Sequence, residues 1–334
     1  MSRSDAAAEV NGVGFLLPQV GPDPAEVAVR AEELGYDSVW LGELWYTAAP
    51  GKLAAVVERT EAVEVGAAIL NVYSRTPATL AMTAATLQRD SGGRFTLGLG
   101  TSTRKSIEDL HGLSFDDPNP ARRAHECIEL VREFLEGGGR VDYDGQVFHA
   151  ADFPALGSRV PLYGAALGPA NRRVVARLCD GWIPHNVPFP ALPEAFDYIR
   201  EHTPPDRDAE DITVAPYVPA AVHEDPAEAR DAIRGHVAYY VGNGEGYRRA
   251  VADRFPDGAD AVAEAWRSGE REAARAAVTD EMVAALGVAG TPEAARGQFA
   301  DLRAMDVLDR PLVTIPQDAP GMLDATIEAL APGG

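Results

Sequence analysis

Lysine is almost missing from this chain. Of 334 residues only Lys52 and Lys105 are lysines, and 30 Lys and Arg face 51 Asp and Glu for a formal net charge of −21. A surface of that sign repels phosphate backbones and anionic headgroups, so nucleic acid and membrane surfaces are not expected partners. Many acids with almost no lysine also fit adaptation to high salt, where screening weakens self-repulsion. Ordinary solubilising charge is the plainer alternative.

Cysteine is scarce too. Cys127 and Cys179 stand far apart, in no Cys-x-x-Cys or zinc spacing, and read as inert helix residues. There is no apolar run of about 18 residues, so no spanning helix is expected. The N-terminus, Met1 to Ala6, lacks the apolar core of a signal peptide, which points to a soluble, cytoplasmic protein. No two histidines fall at ligand spacing, so no metal site is expected. No Gly-x-Ser-x-Gly elbow marks a hydrolytic nucleophile.

What is present is alternation. Val63 to Leu70 is a short, nearly continuous apolar run of the kind buried on both faces of a parallel sheet. A helix follows from Pro77 to Arg89 and stops at Ser91-Gly-Gly93, and Arg94 to Gly100 is the next strand. The same alternation runs through the chain. Further strands are expected at Gly12 to Pro18, Asp37 to Gly42, Val160 to Ala165, Asp180 to Pro184, Ile212 to Val222 and Leu308 to Ile315. Helices are expected at Pro24 to Leu34, Lys52 to Arg59, Arg122 to Leu135, Gly168 to Cys179, Leu192 to Glu201, Asp225 to Tyr240 and Gly321 to Leu330. A loop fills Thr101 to Pro120, and a small hairpin spans Arg140 to Phe148 around Asp144-Gly145. Eight strand–helix alternations with no linker predict α/β architecture: one (β/α)₈ TIM-barrel domain over 1–334, with a helical insertion at about 241–290 before the last βα unit.

In such a barrel the chemistry sits at the C-terminal ends of the strands. The residues there are rich in glycine, amide and aromatic groups and poor in carboxylates, which suits a flat organic cofactor held by backbone. Gly98-Leu-Gly100-Thr-Ser is only half of a dinucleotide fingerprint. Gly164 to Asn171 turns a strand into a helix N-terminus, where free N–H groups and the dipole attract phosphate; an ordinary turn is the alternative. Glu43, before Leu44-Trp45-Tyr46, is the candidate acid, with an Arg-paired or solvated carboxylate as the alternative. His185 is either a donor to substrate or a hydrogen-bonded structural residue. Arg75 reads as a loop stabiliser, and Trp40 and Trp182 as core.

These stretches resemble the bacterial-luciferase-like superfamily over nearly the whole length, and within it the branch using the deazaflavin coenzyme F420. Within that branch the chain resembles the methylene-tetrahydromethanopterin reductases. The likeness lies in Gly66 to Pro77, Arg94 to Gly100, Val160 to Pro169, Cys179-Asp-Gly181, Val214 to Tyr217 and Gly287 to Pro292. It implies a cofactor at the C-terminal mouth of the barrel and a non-prolyl cis peptide at Ala68–Ile69 behind the deazaflavin ring. It places Asn71 beside that ring, Gly100, Thr101 and Ser102 in a contacting turn, and Gly164, Ala165, Ala166, Leu167 and Gly168 in the phosphate-binding turn, with His185 as a further cofactor contact. The chain departs from the reductases at Phe15 and Thr103, where they carry acids, and at Glu43-Leu44, where the family has Asp-His. The implied activity is hydride transfer between deazaflavin and an organic substrate, such as a methylene-tetrahydropterin or folate. An FMN-dependent monooxygenase, its phosphate held by Arg172 and Arg173, and a non-catalytic deazaflavin binder are the alternatives. A homodimer or homotetramer is expected. The salt reading has a direct check: thermal unfolding should come earlier in dilute buffer than in molar KCl, where the Debye length falls to about 3 Å. Equal midpoints would leave only the solubilising explanation.

Overall fold

The protein is described by a computed structural model over residues 12–115 and 119–333. The N-terminal stretch and part of the loop before Pro120 thus lie outside the described residues. The first half alternates without exception. β1 (Gly14–Leu16), α1 (Pro24–Glu33), β2 (Ser38–Leu41), α2 (Ala49–Arg59), β3 (Glu64–Asn71), α3 (Pro77–Asp90) and β4 (Phe95–Gly100) follow one another. After β4 the expected loop contains a π-helical turn, Lys105–Leu110. Then come α4 (Pro120–Glu136), the hairpin β5 (Arg140–Asp144) and β6 (His149–Pro154), β7 (Leu162–Gly164), α5 (Pro169–Leu178), β8 (Gly181–Trp182) and α6 (Leu192–His202). The hairpin turns at Asp144-Gly145 as expected, but its second strand runs six residues beyond Phe148, to Pro154.

The expected strand Ile212 to Val222 is broken. β9 (Thr213–Val214) pairs with β8, and β10 (Tyr217–Val222) pairs with β12 (Leu312–Thr314). Between them stand only Ala215 and Pro216, and proline has no N–H to give to a ladder. The carbonyl of Pro216 still accepts from Leu312 N at 2.8 Å, and Ala215 N donates to Trp182 O at 2.8 Å. One kinked strand is therefore stitched to β8 on one side and to β12 on the other. Because β1 pairs in parallel with both β12 and β2, the ring closes. Beyond β10 the chain forms α7 (Pro226–Asn243), α8 (Glu245–Ala252), α9 (Pro256–Arg267), α10 (Arg271–Ala276), α11 (Asp280–Leu286), β11 (Val288–Gly290), α12 (Pro292–Arg303) and, after β12, α13 (Leu323–Ala329). The short strand β11 pairs with the second half of β10 and was not expected.

Three clusters make up the core among the described residues, and the largest, which includes Val39, Leu53, Val65, Leu80, Leu97 and Phe196, packs the helices on the barrel strands. The barrel interior is filled by Trp40, Tyr163, Ile183, Ala215 and Leu312 around Ala68. A separate cluster that includes Ile233, Val237, Val241, Val262, Met282 and Leu286 packs α7 to α11 against each other. Among the described residues no helix is long and apolar enough to cross a membrane.

The sheet carries one irregularity. The register of β3 against β4 shifts between Ala67 and Leu70, and the Ala68–Ile69 peptide is cis, as the resemblance implies. The bulge pushes carbonyls sideways into both neighbouring strands. A Cβ on Gly98 would lie 2.2 Å from Ala67 O, and one on Gly42 would lie 2.7 Å from Ala68 O. Only glycine admits so close a backbone approach. Gly98→Ala should therefore destabilise the fold by about 1–3 kcal/mol, the usual cost of overpacking. Chemical denaturation would read this as a lower midpoint with an unchanged slope, and an unshifted midpoint would refute the role of Gly98.

Candidate active site

The strands deliver their C-terminal ends to one cavity of about 490 Å³. Its walls combine Gly42, Glu43, Ala68 and Ile69 with Thr101 to Arg104 from the end of β4 and Ala165 to Gly168 from the turn into α5. His185 and Tyr217 close the floor, and α7 and the start of α8 supply His236, Tyr240, Asn243, Glu245 and Tyr247. Most of the residues picked from the sequence thus meet at one place.

The bulge is fixed from across the barrel. The Tyr217 hydroxyl donates to Ala68 O, and Glu43 N donates to Ile69 O at 3.4 Å. The turn before α5 is fixed by Trp182, whose indole N–H donates to Ala166 O at 2.8 Å. The first N–H groups of a helix have no partner within it and point toward the mouth. Ser102, at φ 60°, takes the left-handed conformation uncommon outside glycine, as does Asn186 at φ 54°. Asn186 is buried, and neither atom of its amide is engaged among the described residues.

Three expected residues stand elsewhere. Asn71 is buried outside the cavity lining; its Oδ1 accepts from Tyr73 N at 3.0 Å and Ser74 N at 2.7 Å, so it shapes the turn after β3. Its Nδ2 has no partner among the described residues. Gly164 faces outward: a Cβ there would meet Val175 Cγ2 at 2.7 Å and Cys179 Sγ at 2.8 Å, so it serves the packing of β7 on α5. Gly100 backs the wall, with Ala165 and Ile69 in contact distance of its Cβ position.

Glu43 lines the cavity, but its carboxylate is occupied. Arg75 Nη1 donates to Oε1 at 2.5 Å, Arg75 Nη2 to Oε2 at 2.9 Å, and Ala49 N to Oε2 at 2.8 Å. Such a bidentate pair is a fastener, strong and geometrically fixed. It ties the loop after β2 to the loop after β3 and to the start of α2. This corrects the reading of Glu43 as an acid in an apolar pocket and bears out Arg75 as a loop stabiliser. Burial pushes the thiols of Cys127 and Cys179 up to about 12, in keeping with inert residues.

His185 is buried, and its Nε2 lies 3.1 Å from Nε2 of His236. Its ring is boxed by Tyr217 and Tyr240, with centroids at 4.4 and 4.3 Å, and by Tyr247 at 5.4 Å. Burial drives both imidazoles toward the neutral form, His236 down to about 3 and His185 well below its ordinary value.

The sequence pattern of the luciferase-like monooxygenases fits residues 13–308. The chain belongs to that family. A 5,10-methylenetetrahydromethanopterin reductase of Archaeoglobus fulgidus is 30% identical over 276 residues, covering 79% of this chain and 80% of the relative. The solved coenzyme F420-dependent tetrahydromethanopterin reductase of Methanopyrus kandleri superposes with a TM-score of 0.80 at 23% identity, over 96% of this chain and 97% of the other. An F420-dependent secondary alcohol dehydrogenase, solved with an F420–acetone adduct, superposes with a TM-score of 0.75 at 19% identity, over 96% and 97% of the two chains. The two solved structures share the TIM-barrel-like fold with this chain.

What the sequence reading of this luciferase-like chain missed is the helical wall. His236, Tyr239 and Tyr240 are spaced i, i+3, i+4 in α7, one face of a helix. That spacing, followed by Asn243-Gly-Glu-Gly-Tyr247, was the available signal. For the Glu43–Arg75 pair, Glu43→Gln should cost about 1–3 kcal/mol by weakening a charged, largely buried hydrogen-bond set. A thermal-shift measurement on the cofactor-free protein checks this. Unchanged stability would return Glu43 to the list of free acids.

Proposed function

We propose that the chain is a coenzyme F420-dependent oxidoreductase that moves hydride between the deazaflavin and a small organic substrate, such as a methylene-tetrahydropterin or tetrahydrofolate. The observation that supports it most is the cavity itself, about 490 Å³, lined by Ala68, Ile69 and Ile183 together with the turn Ala165 to Gly168. The residues fit the group. The apolar bulge suits the face of a tricyclic ring, and the start of α5 suits the phosphate of its side chain. Thr101, Ser102 and Asn171 offer polar contacts between the two. The deazaflavin, when bound, supplies the hydride; the protein supplies orientation and a dry wall.

The FMN alternative depended on Arg172 and Arg173 at the phosphate. Neither lines the cavity, and Arg172 lies over the Trp182 ring at 5.8 Å. A non-catalytic binder is the remaining alternative, and turnover separates it. A cytoplasmic, homo-oligomeric enzyme with a small-molecule substrate completes the reading.

The test is a fluorescence titration in high salt with coenzyme F420 and, separately, with FMN. Micromolar binding of F420 alone is the expected result. Preference for FMN would overturn the cofactor assignment, and F420 binding without turnover on pterin, folate or carbonyl acceptors would favour the non-catalytic reading.

A further inference from the structure

A second cleft of about 400 Å³ adjoins the cavity. Trp45, Tyr46, Tyr239 and Trp266 line it, and it shares His236, Tyr240 and Gln317 with the first cavity. His236 therefore stands in a partition between two compartments. His185 lines the inner one and not the outer. Trp45 and Tyr46 are 39% and 59% exposed, so water reaches the outer cleft.

We propose that His236 and His185 form a two-ring proton relay that connects water in the outer aromatic cleft to the reacting molecule in the inner cavity. Among the described residues the contact between the two Nε2 atoms, at 3.1 Å, is the only hydrogen bond either ring makes. One Nε2 must carry a proton and the other must not. The rings are therefore opposite tautomers, and their Nδ1 atoms present one donor and one acceptor.

Other groups around the pair are committed. Glu43 is held by Arg75, and Glu245 by Arg248 and Arg249. Arg104 is paired with Glu108. On the outer side Arg275 is held by Asp231 and Asp318, Arg271 lies over Trp266 at 3.7 Å, and Glu272 lines the cleft. The Tyr217 hydroxyl is spent on Ala68 O, and burial raises Tyr240 and Tyr247. Glu272 belongs to the outer cleft alone, so on the inner side the two imidazoles are what remains to pass a proton inward.

The step balances. When hydride adds to a substrate carbon, the atom left with the electron pair takes the Nδ1 proton of His185. His185 Nε2 takes the Nε2 proton of His236, and His236 Nδ1 takes a proton from water of the outer cleft, the hydroxide left behind passing to bulk solvent past the exposed Trp45 and Tyr46. Each ring loses one proton and gains one, so neither becomes charged and the tautomers exchange. The reverse order serves substrate oxidation. The relay rests on the oxidoreductase reading for its partner step but not for its own geometry.

The first test needs no cofactor: ¹⁵N-histidine NMR of the full chain. The expected result is one ring of each tautomer, linked across the Nε2 atoms and unprotonated down to about pH 5, below the ordinary imidazole value of about 6.5. Two identical tautomers, or a cationic ring at neutral pH, would overturn the relay. The second test compares His236→Phe and His236→Gln in F420 binding, turnover and solvent isotope effect. Retained F420 binding with turnover about 100-fold lower, a lost solvent isotope effect and partial rescue by imidazole are expected. Turnover within a few-fold of the parent, with the isotope effect intact, would overturn it. If the parent protein fails to bind F420 while the NMR result stands, the cofactor reading falls and the relay geometry does not.

Discussion

The structure hangs on the sideways pressure of one strand. The bulge at Ala67 to Leu70 turns backbone carbonyls toward both neighbours, and each neighbour answers with a glycine, Gly42 or Gly98. The Ala68 carbonyl also receives the Tyr217 hydroxyl from the kinked strand that closes the ring. Barrel closure, bulge and cavity floor are thus one mechanical unit. The Glu43–Arg75 pair braces the loops at its rim. Such interlocking holds a binding surface within the narrow tolerance that a positioned reaction needs.

Arginine does the fastening elsewhere too, which makes sense of the near absence of lysine. Arg94 donates to the carbonyls of Ser91, Val63 and Thr60, closing the opposite end of the barrel where β3 and β4 begin. Arg132 spans Leu178 O and the Asp180 carboxylate, and Arg310 joins the start of β12 to Glu64. A planar fork with five donors can bind several carbonyls at fixed angles, and an ammonium on a flexible stem cannot. The arginines of this acidic chain bind both backbone carbonyls, as Arg94 does, and carboxylates, as Arg310 and Arg275 do.

The sequence was most readable where local rules and global fold agree. Pro77, Gly92 and the apolar run from Val65 to Leu70 each signal the same strand–helix unit, and the unit is there. The resemblance located Ala68–Ile69 and the turn Ala165 to Gly168 correctly on the cavity wall. Reading failed where tertiary contacts decide. Glu43 became a structural residue because Arg75, 32 positions away, folds back onto it. Gly164, read as part of the phosphate-binding turn, lies outside the cavity lining, with its Cβ position against Val175 and Cys179. Pro216 gave the break in the expected seventh strand, yet the continuous apolar run around it concealed the break. The helical wall went unread because α7 is apolar, polar and aromatic by turns, and only its distant neighbours reveal which face looks inward.

That wall has a consequence for how such a chain can diversify. The bulge, its glycines and the α5 turn come from the barrel, whereas His236, Tyr240 and Tyr247 come from helices that carry their own packed core. Mutation can reshape the helical half without disturbing the half that would grip the coenzyme. Duplicated copies of the gene could therefore drift toward different substrates while inheriting the same redox partner, each new specificity written on the inward faces of two adjacent helices.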